Sequence, residues 1–403
     1  MNEIVTNRNI IIVGLQPWDT AIGSNCKDLA LEFSKNNRVL YVNSPLDINT
    51  IIGGRNDPLV KKRINYLRGT KDNLQALTDN LWVYYPDTIL LSINWIKPSA
   101  LFNFFNKINN KLFARSIRKA KNKLGFEDFI LFNDNDIFRA FYLKEMLKPI
   151  LSVYYSRDYL IAVAYWKKHG NRLEPLLIKK SNVCVANSTY LAEYCLQYNK
   201  DSFYVGQGCD LEMFINLKNF VIPEDIAVIP KPIIGYVGAL QTLRLDIDLI
   251  TFVATQNPNI SFVLVGPEDQ QFQNSSLHQI KNIYFLGAKI PALLPQYIKV
   301  FDVCINPQLI NEVTIGNYPR KIDEYLAVGK PVVATQTEAM HSFKEHAYLS
   351  KSKEEFAFFI NKALDDNSEI LQRERRNFAA THTWQESVKQ IYIAMNFKIP
   401  LKK

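Results

Sequence analysis

The sequence predicts an α/β protein built from two parallel-sheet domains, and three observations carry that prediction. Its 403 residues exceed what one ordinary core organises. Short apolar runs punctuate the chain in two series, each opening with a strand followed by a glycine turn. Between the runs lie longer stretches with helical spacing, and alternation of this kind implies right-handed βαβ units.

The first series is IIIVG at 10–14, RVLYV at 38–42, LWVYYP at 81–86, FILFND at 129–134, LSVYY at 151–155 and NVCVANS at 182–188. Nearly continuous apolar runs are strands covered on both faces. Cys26 to Phe33 and Ile137 to Leu147 carry helical spacing between them. The second series is IIGYVGAL at 233–240, FVLVGP at 262–267, IYFLGA at 283–288, VCINP at 303–307 and PVVATQ at 331–336. Residues 211–231, with Pro223 and Pro230 and with Pro232 just beyond, have the composition of a linker. The predicted domains are therefore 1–205 and 206–385, followed by a terminal segment at 386–403.

Composition bounds the function. Hydrophobic residues make up 47% and charged residues 22%, as in globular proteins. Five scattered cysteines without a C-x-x-C pair argue against a disulfide framework or zinc site and for a reducing compartment. No apolar run is long enough to span a bilayer and the opening residues do not resemble a signal peptide, so a cytoplasmic location is expected. Residues 1–205 hold 28 Lys/Arg against 18 Asp/Glu, leaving 20 against 21 for the rest. All the excess positive charge thus lies in the first half, which suggests that half faces something anionic.

Residues 98–124 concentrate that charge. Lys107, Lys111, Arg115, Arg118, Lys119, Lys121 and Lys123 occur without an acidic residue, and Leu101, Phe104, Phe105, Ile108 and Leu112 fall at helical spacing. A helix lying peripherally on an anionic membrane surface fits this pattern, as does a core-packed helix with a basic outer face. No nucleic-acid motif accompanies it, and no nucleic acid is expected as a partner.

The most specific segment is NYPRKIDEYLAVGKPVVAT at 317–335. A helix from about Pro319 to Gly329 fits the proline and glycine signals and puts Lys321 and Glu324 on one face. P-x-K-x-x-E-Y-L-A-x-G-K-P-V-V-A-T closely resembles the donor-site signature of the large retaining nucleotide-sugar glycosyltransferase family, group 1 or family 4-like, with the GT-B fold. IIGYVGAL, FVLVGP, ANSTYLAEY at 186–194, VGQGCDLEMF at 205–214 and HTWQESV at 382–388 resemble other landmarks of that family in the right order. The resemblance covers most of 180–390.

It implies two Rossmann-like domains facing a cleft, with the last helix crossing back to the first domain. It also implies a nucleotide-diphosphate sugar as donor, a glycan or lipid-linked acceptor in cell-surface polysaccharide synthesis, retention of anomeric configuration, and no cofactor or essential metal. Gly238 matches the loop glycine after the first strand of the second domain, and Arg244 stands where the family usually has Lys. Arg244 and Lys321 would clamp the diphosphate, and Glu324 would hydrogen-bond the ribose. Ala239 replaces an arginine common in the family, and Gly316 stands where many members have a first glutamate.

In the first domain, Gly14, Gly23 and Ser24 lie where the fold has a glycine loop near the acceptor, and Ser24 is also a candidate helix cap. GLQPWD is not a dinucleotide fingerprint. Trp18 is open to sugar stacking or buried packing. Asp158, past a strand end, is the candidate catalytic carboxylate, with a turn role as its alternative. Asp134 and Asp136 are read as caps or turn residues. His169 lies in a polar segment, leaving the histidine of many relatives without a counterpart. Two rival functions remain at this point: a nucleotide-sugar epimerase of the same fold, and a non-catalytic scaffold subunit.

Overall fold

The computed structural model describes residues 4–19, 24–215, 220–316 and 318–398. Gln207–Thr383 forms one compact unit, and the segments on either side of it together form the other.

The strands of the outer segments are β1 (Asn9–Gly14), β2 (Arg38–Val42), β3 (Leu46–Asp47), β4 (Leu74–Thr78), β5 (Leu81–Tyr84), β6 (Ile89–Leu90), β7 (Phe129–Asp134), β8 (Leu151–Ser156), β9 (Val183–Ala186) and β10 (Ser202–Tyr204). Eight make one sheet in the order β10-β9-β8-β7-β1-β2-β5-β4, while β3 and β6 pair separately. The six predicted runs are β1, β2, β5, β7, β8 and β9, and β1 pairs in parallel with both β2 and β7. Ile10 and Ile12 face a core shared with Phe33 and Tyr392, whereas Ile11 and Val13 face one shared with Phe113 and Ile117. Burial on both faces explains why these runs lack polar alternation. The edge strand β4, antiparallel to β5, lacks that signature because most of it is solvated.

The helix Trp384–Asn396 belongs to this first unit. Tyr392 packs 5.5 Å from Phe33, and its hydroxyl accepts a 2.9 Å hydrogen bond from Asn37 Nδ2.

One expectation needs correction here, and one left open can be narrowed. Of Ile137 to Leu147, only Leu143–Leu147 is helical. Asp136 Oδ1 accepts from the Phe138 and Arg139 amides at 3.2 and 2.9 Å, so residues 136–142 turn before the helix begins. The helix Ser99–Lys123 forms, but its core face carries Phe102, Asn106, Asn109, Asn110, Phe113 and Ile117. Of the apolar stripe read from spacing, Phe104 is 61% exposed and Leu101 45%, whereas Phe105 packs against the core.

The second unit contains β11 (Ile233–Val237), β12 (Ser261–Val265), β13 (Ile283–Gly287), β14 (Val303–Asn306), β15 (Val332–Thr335) and β16 (Tyr348–Ser350). They form a parallel sheet in the order β13-β12-β11-β14-β15-β16. Helices Ile247–Gln256 and Lys353–Asp365 contribute to one core of this unit, and Leu294–Val300 and Lys321–Ala327 to another. All five cysteines are buried free thiols. Among the described residues no helix is long and apolar enough to cross a membrane.

Candidate functional site

The site begins where β11 and β12 end side by side. Gly238 has φ 142° and Gly266 has φ 158°, and a Cβ on Gly266 would stand 1.9 Å from the Gly238 carbonyl oxygen. Only glycine permits that approach. The Gly238 amide donates to Val265 O at 2.9 Å, and the Leu240 amide to Pro267 O at 2.8 Å. Beyond them Thr242 donates through its amide and hydroxyl to Asp269 at 2.7 and 2.9 Å, which fixes the loop that carries Arg244.

Lys321 opens the helix Lys321–Ala327, two residues later than the proline signal suggested, and Arg320 at the cap position makes no side-chain cap. Its Nζ donates to the Tyr236 hydroxyl at 2.6 Å and lies 4.3 Å from that ring's centroid. A Cβ on Gly238 would come within 3.2 Å of Nζ, so the glycine leaves the lysine its place. Gly238, Arg244 and Lys321 line one cavity of about 310 Å³ together with Gln308, Tyr318 and Pro319. Among the described residues no carboxylate lines it, and Arg244 is exposed without an ion-pair partner. Two cations in a concave wall without a counter-charge are chemically able to hold an anion.

Glu324 is half-buried one turn along the same helix and does not line the cavity. Burial pushes its carboxyl up to about 6, against the pull of Arg320 and Lys321. It is therefore mostly ionised at neutral pH and able to accept hydroxyl hydrogen bonds.

Sequence reasoning missed Asp323, the neighbour of Glu324. Asp323 is fully buried; its Oδ1 lies 2.6 Å from His382 Nδ1 and its Oδ2 3.4 Å from Cys209 Sγ. His382 Nδ1 is also 3.3 Å from the hydroxyl of Tyr318, a lining residue. Burial raises the Asp323 carboxyl pKa and His382 opposes the rise. His382 heads the HTWQESV stretch, but nothing local ties it to Asp323, 59 residues earlier.

In the first unit, Gly14 ends β1 against Asp134 and Cys26: a Cβ there would sit 3.0 Å from Asp134 Oδ2 and from Cys26 Sγ. Ser24 caps the helix Asn25–Ser34 through the Lys27 amide. Gly23 lies outside the described residues. Trp18 packs edge-on against Tyr41 at 5.1 Å. Asp158 is partly exposed and bonded to Arg157 NH1 at 2.9 Å. Asp134 is no turn residue, because it is fully buried and bonded to Arg157 Nε at 2.7 Å. Burial pushes its carboxyl up and Arg157 pulls it back. Asp136 is the turn residue of the pair. His169 is buried, stacks 3.7 Å from Phe102 and has Nε2 2.9 Å from Ile96 O, so its work is structural.

Residues 231–366, which contain the whole cavity lining, match the model of the Glycosyl transferases group 1 family. A Bacillus subtilis (strain 168) protein, provisionally named the teichuronic acid biosynthesis glycosyltransferase TuaH, is 30% identical over 168 residues. The aligned stretch takes in 40% of this chain and 42% of that relative's length. Among solved structures, the sucrose-phosphate synthase of Thermosynechococcus elongatus superposes with a TM-score of 0.64 at 14% identity, covering 97% of this chain and 98% of that one. Anabaena HepE in complex with UDP gives 0.63 at 16%, covering 97% and 99%. An E. coli structure described as trehalose-6-phosphate bound with UDP-2-fluoro glucose gives 0.66 at 10%, covering 98% and 100%. The chain has the GT-B fold.

Proposed function

We propose that this chain is a glycosyltransferase that moves a sugar, with retention of configuration, from a nucleotide-diphosphate sugar to a glycan or lipid-linked acceptor in cell-surface polysaccharide synthesis. The observation that carries the reading is the cavity lined by Gly238, Arg244 and Lys321, with no carboxylate among its described lining residues. A departing nucleoside diphosphate is the main charge that develops in glycosyl transfer. Fixed cations aimed at it lower the barrier without reorganisation at the moment of reaction. Arg244 supplies a planar fork and Lys321 a point charge held by Tyr236.

Glu324 would accept from the donor ribose in its ionised form. Asp158, held by Arg157, is the carboxylate we assign to catalysis, and Gly14 and Ser24 belong to the acceptor side. The UDP bound to HepE and the UDP-2-fluoro glucose bound to the E. coli structure support a uridine donor.

We further assign the outer face of the helix Ser99–Lys123 to peripheral contact with the cytoplasmic membrane surface. Phe104, Lys107, Ile108, Lys111 and Arg115 follow one another at helical spacing, and Lys107, Lys111 and Arg115 are exposed. Lys119 and Lys121 are engaged elsewhere, with Asp87 at 2.6 Å and with Phe126 O at 2.7 Å.

Incubation of the full chain with UDP-glucose, UDP-galactose, UDP-N-acetylglucosamine and UDP-glucuronic acid tests the reading. Release of UDP supports a transferase, interconversion of sugars supports an epimerase, and no turnover or binding of any donor supports a scaffold.

A further inference from the structure

A second cavity, of about 790 Å³, opens in the first unit, lined by residues 90–95, the helix Ser99–Lys123 and the start of the helix Ala164–Lys180. Its size is that of small-molecule sites. None of the residues assigned above lines it.

Three asparagines on the core face of the Ser99–Lys123 helix show what this cavity lacks. Asn109 spends its amide on the backbone of Leu91, donating to its oxygen and accepting from its nitrogen, each at 2.9 Å. Asn110 donates to Asn106 O at 2.8 Å and to Phe138 O at 2.9 Å, and accepts from the Tyr142 amide at 2.8 Å. Asn106 lines the cavity, is 2% exposed, and its Nδ2 has no partner. A buried amide donor left idle in a native fold needs a reason. Asn94, on the same lining, donates to Tyr165 O at 2.9 Å while its Oδ1 has no partner.

The rest of the wall is aromatic. Trp95 is 73% exposed and already donates its indole N–H to Ser92 O at 2.9 Å, so what it offers is a ring face. Tyr165 is 56% exposed and meets Trp166 edge-on at 5.1 Å. The charged groups each hold a protein partner: Arg139 Nε pairs with Asp136 at 2.9 Å, Lys168 donates to the neutral Asn94 O at 2.7 Å, and Asp47 accepts from Thr50 and Ser92.

We propose that this cavity binds an uncharged saccharide ring of the acceptor. A sugar presents C–H faces that lie on aromatic rings, and hydroxyls that both accept and donate, which answers an idle donor on Asn106 and an idle acceptor on Asn94. A phosphate fits this wall less well, because Arg139 is already paired with Asp136 and the Asp47 carboxylate stands in the same lining. The assignment deepens the transferase reading and rests on it for the role of the sugar as acceptor; the binding itself is tested independently of donor chemistry.

Saturation-transfer NMR on the full chain, with methyl glucoside and methyl N-acetylglucosaminide each at millimolar concentration, reads the proposal out. Signal is expected on ring C–H protons of at least one glycoside and should persist when UDP is saturating. Trp95→Ala, a surface change, should reduce that signal about tenfold, the scale of a lost anchoring contact. Asn106→Leu should do the same without lowering the melting temperature, because it removes an unsatisfied donor and leaves Asn110 its other partners. Absence of signal from both glycosides overturns the proposal, as does signal abolished by UDP, or signal unchanged in both variants. UDP binding, measured in the same samples, reports separately on the donor cavity: its failure would sink the transferase reading and leave the saccharide result to stand alone.

Discussion

Lys321 Nζ donates to the Tyr236 hydroxyl at 2.6 Å directly beside Gly238, whose missing side chain leaves the lysine 3.2 Å of clearance from where a Cβ would sit. The position of the cation is therefore set by a strand residue, a glycine and a helix residue together. Gly238→Ala would demand φ 142° of an alanine and press on both Lys321 and Tyr236. UDP affinity should fall at least about tenfold, whereas Tyr236→Phe, which keeps the ring, should cost only about fivefold, the scale of one hydrogen bond near 1 kcal/mol. Isothermal calorimetry on both variants checks the order; equal affinities would mean that the lysine's position does not matter.

The Asp323–His382 pair gives a stability prediction. His382→Ala leaves a fully buried carboxylate without its 2.6 Å partner and should destabilise the second unit by roughly 3–5 kcal/mol. Adding Asp323→Asn should recover most of the loss, since it removes the stranded charge. Urea unfolding of the two single variants and the double variant decides; simple additivity would show that the pair does not couple.

Glu174 predicts a pH dependence. It is 1% exposed, accepts from the Tyr154 hydroxyl at 2.7 Å, and burial pushes its carboxyl up to about 7 from 4.5. Its folded pKa is raised, so its contribution to stability is complete below about pH 4.5 and is lost as pH climbs through 7. Glu174→Gln should match wild type at pH 4.5 and exceed it at pH 8, by up to roughly 3 kcal/mol. Parallel stability profiles from pH 4.5 to 8 would show that the carboxyl is not held protonated.

Membrane contact, if it runs through the outer face of the Ser99–Lys123 helix, is separable by residue. Replacing Lys107, Lys111 and Arg115 with Gln should cut co-sedimentation with phosphatidylglycerol vesicles by about 1 kcal/mol per charge, with steep loss in salt for wild type. Replacing Lys119 and Lys121 should do much less, because both are tied to the fold. Equal effects from the two sets would make the contact one of net charge only.

The parallel strands were legible because burial on both faces leaves unbroken apolar runs; FILFND is β7 to the residue. β4 was not, since a solvated edge strand such as LQALT carries no apolar run. The core face of the Ser99–Lys123 helix was not legible for a similar reason: spacing of apolar residues selects Leu101 and Phe104, while the fold buries Asn109 and Asn110, whose amides pair with backbone groups distant in sequence. Lys321, Gly238 and Arg244 could be named from local motifs, and the structure places them on one cavity. Asp323–His382, 59 residues apart, is a tertiary pair that no local pattern announces.

The central claim is that the second unit holds the donor diphosphate through Lys321 and Arg244. Calorimetric titration of UDP into the full chain, with wild type beside Lys321→Ala and Arg244→Ala, tests it most directly. Wild type is expected to bind, and each variant to lose at least about tenfold with the fold intact, as for one charged hydrogen bond. Wild-type affinity in both variants would contradict the claim and move the diphosphate away from this cavity.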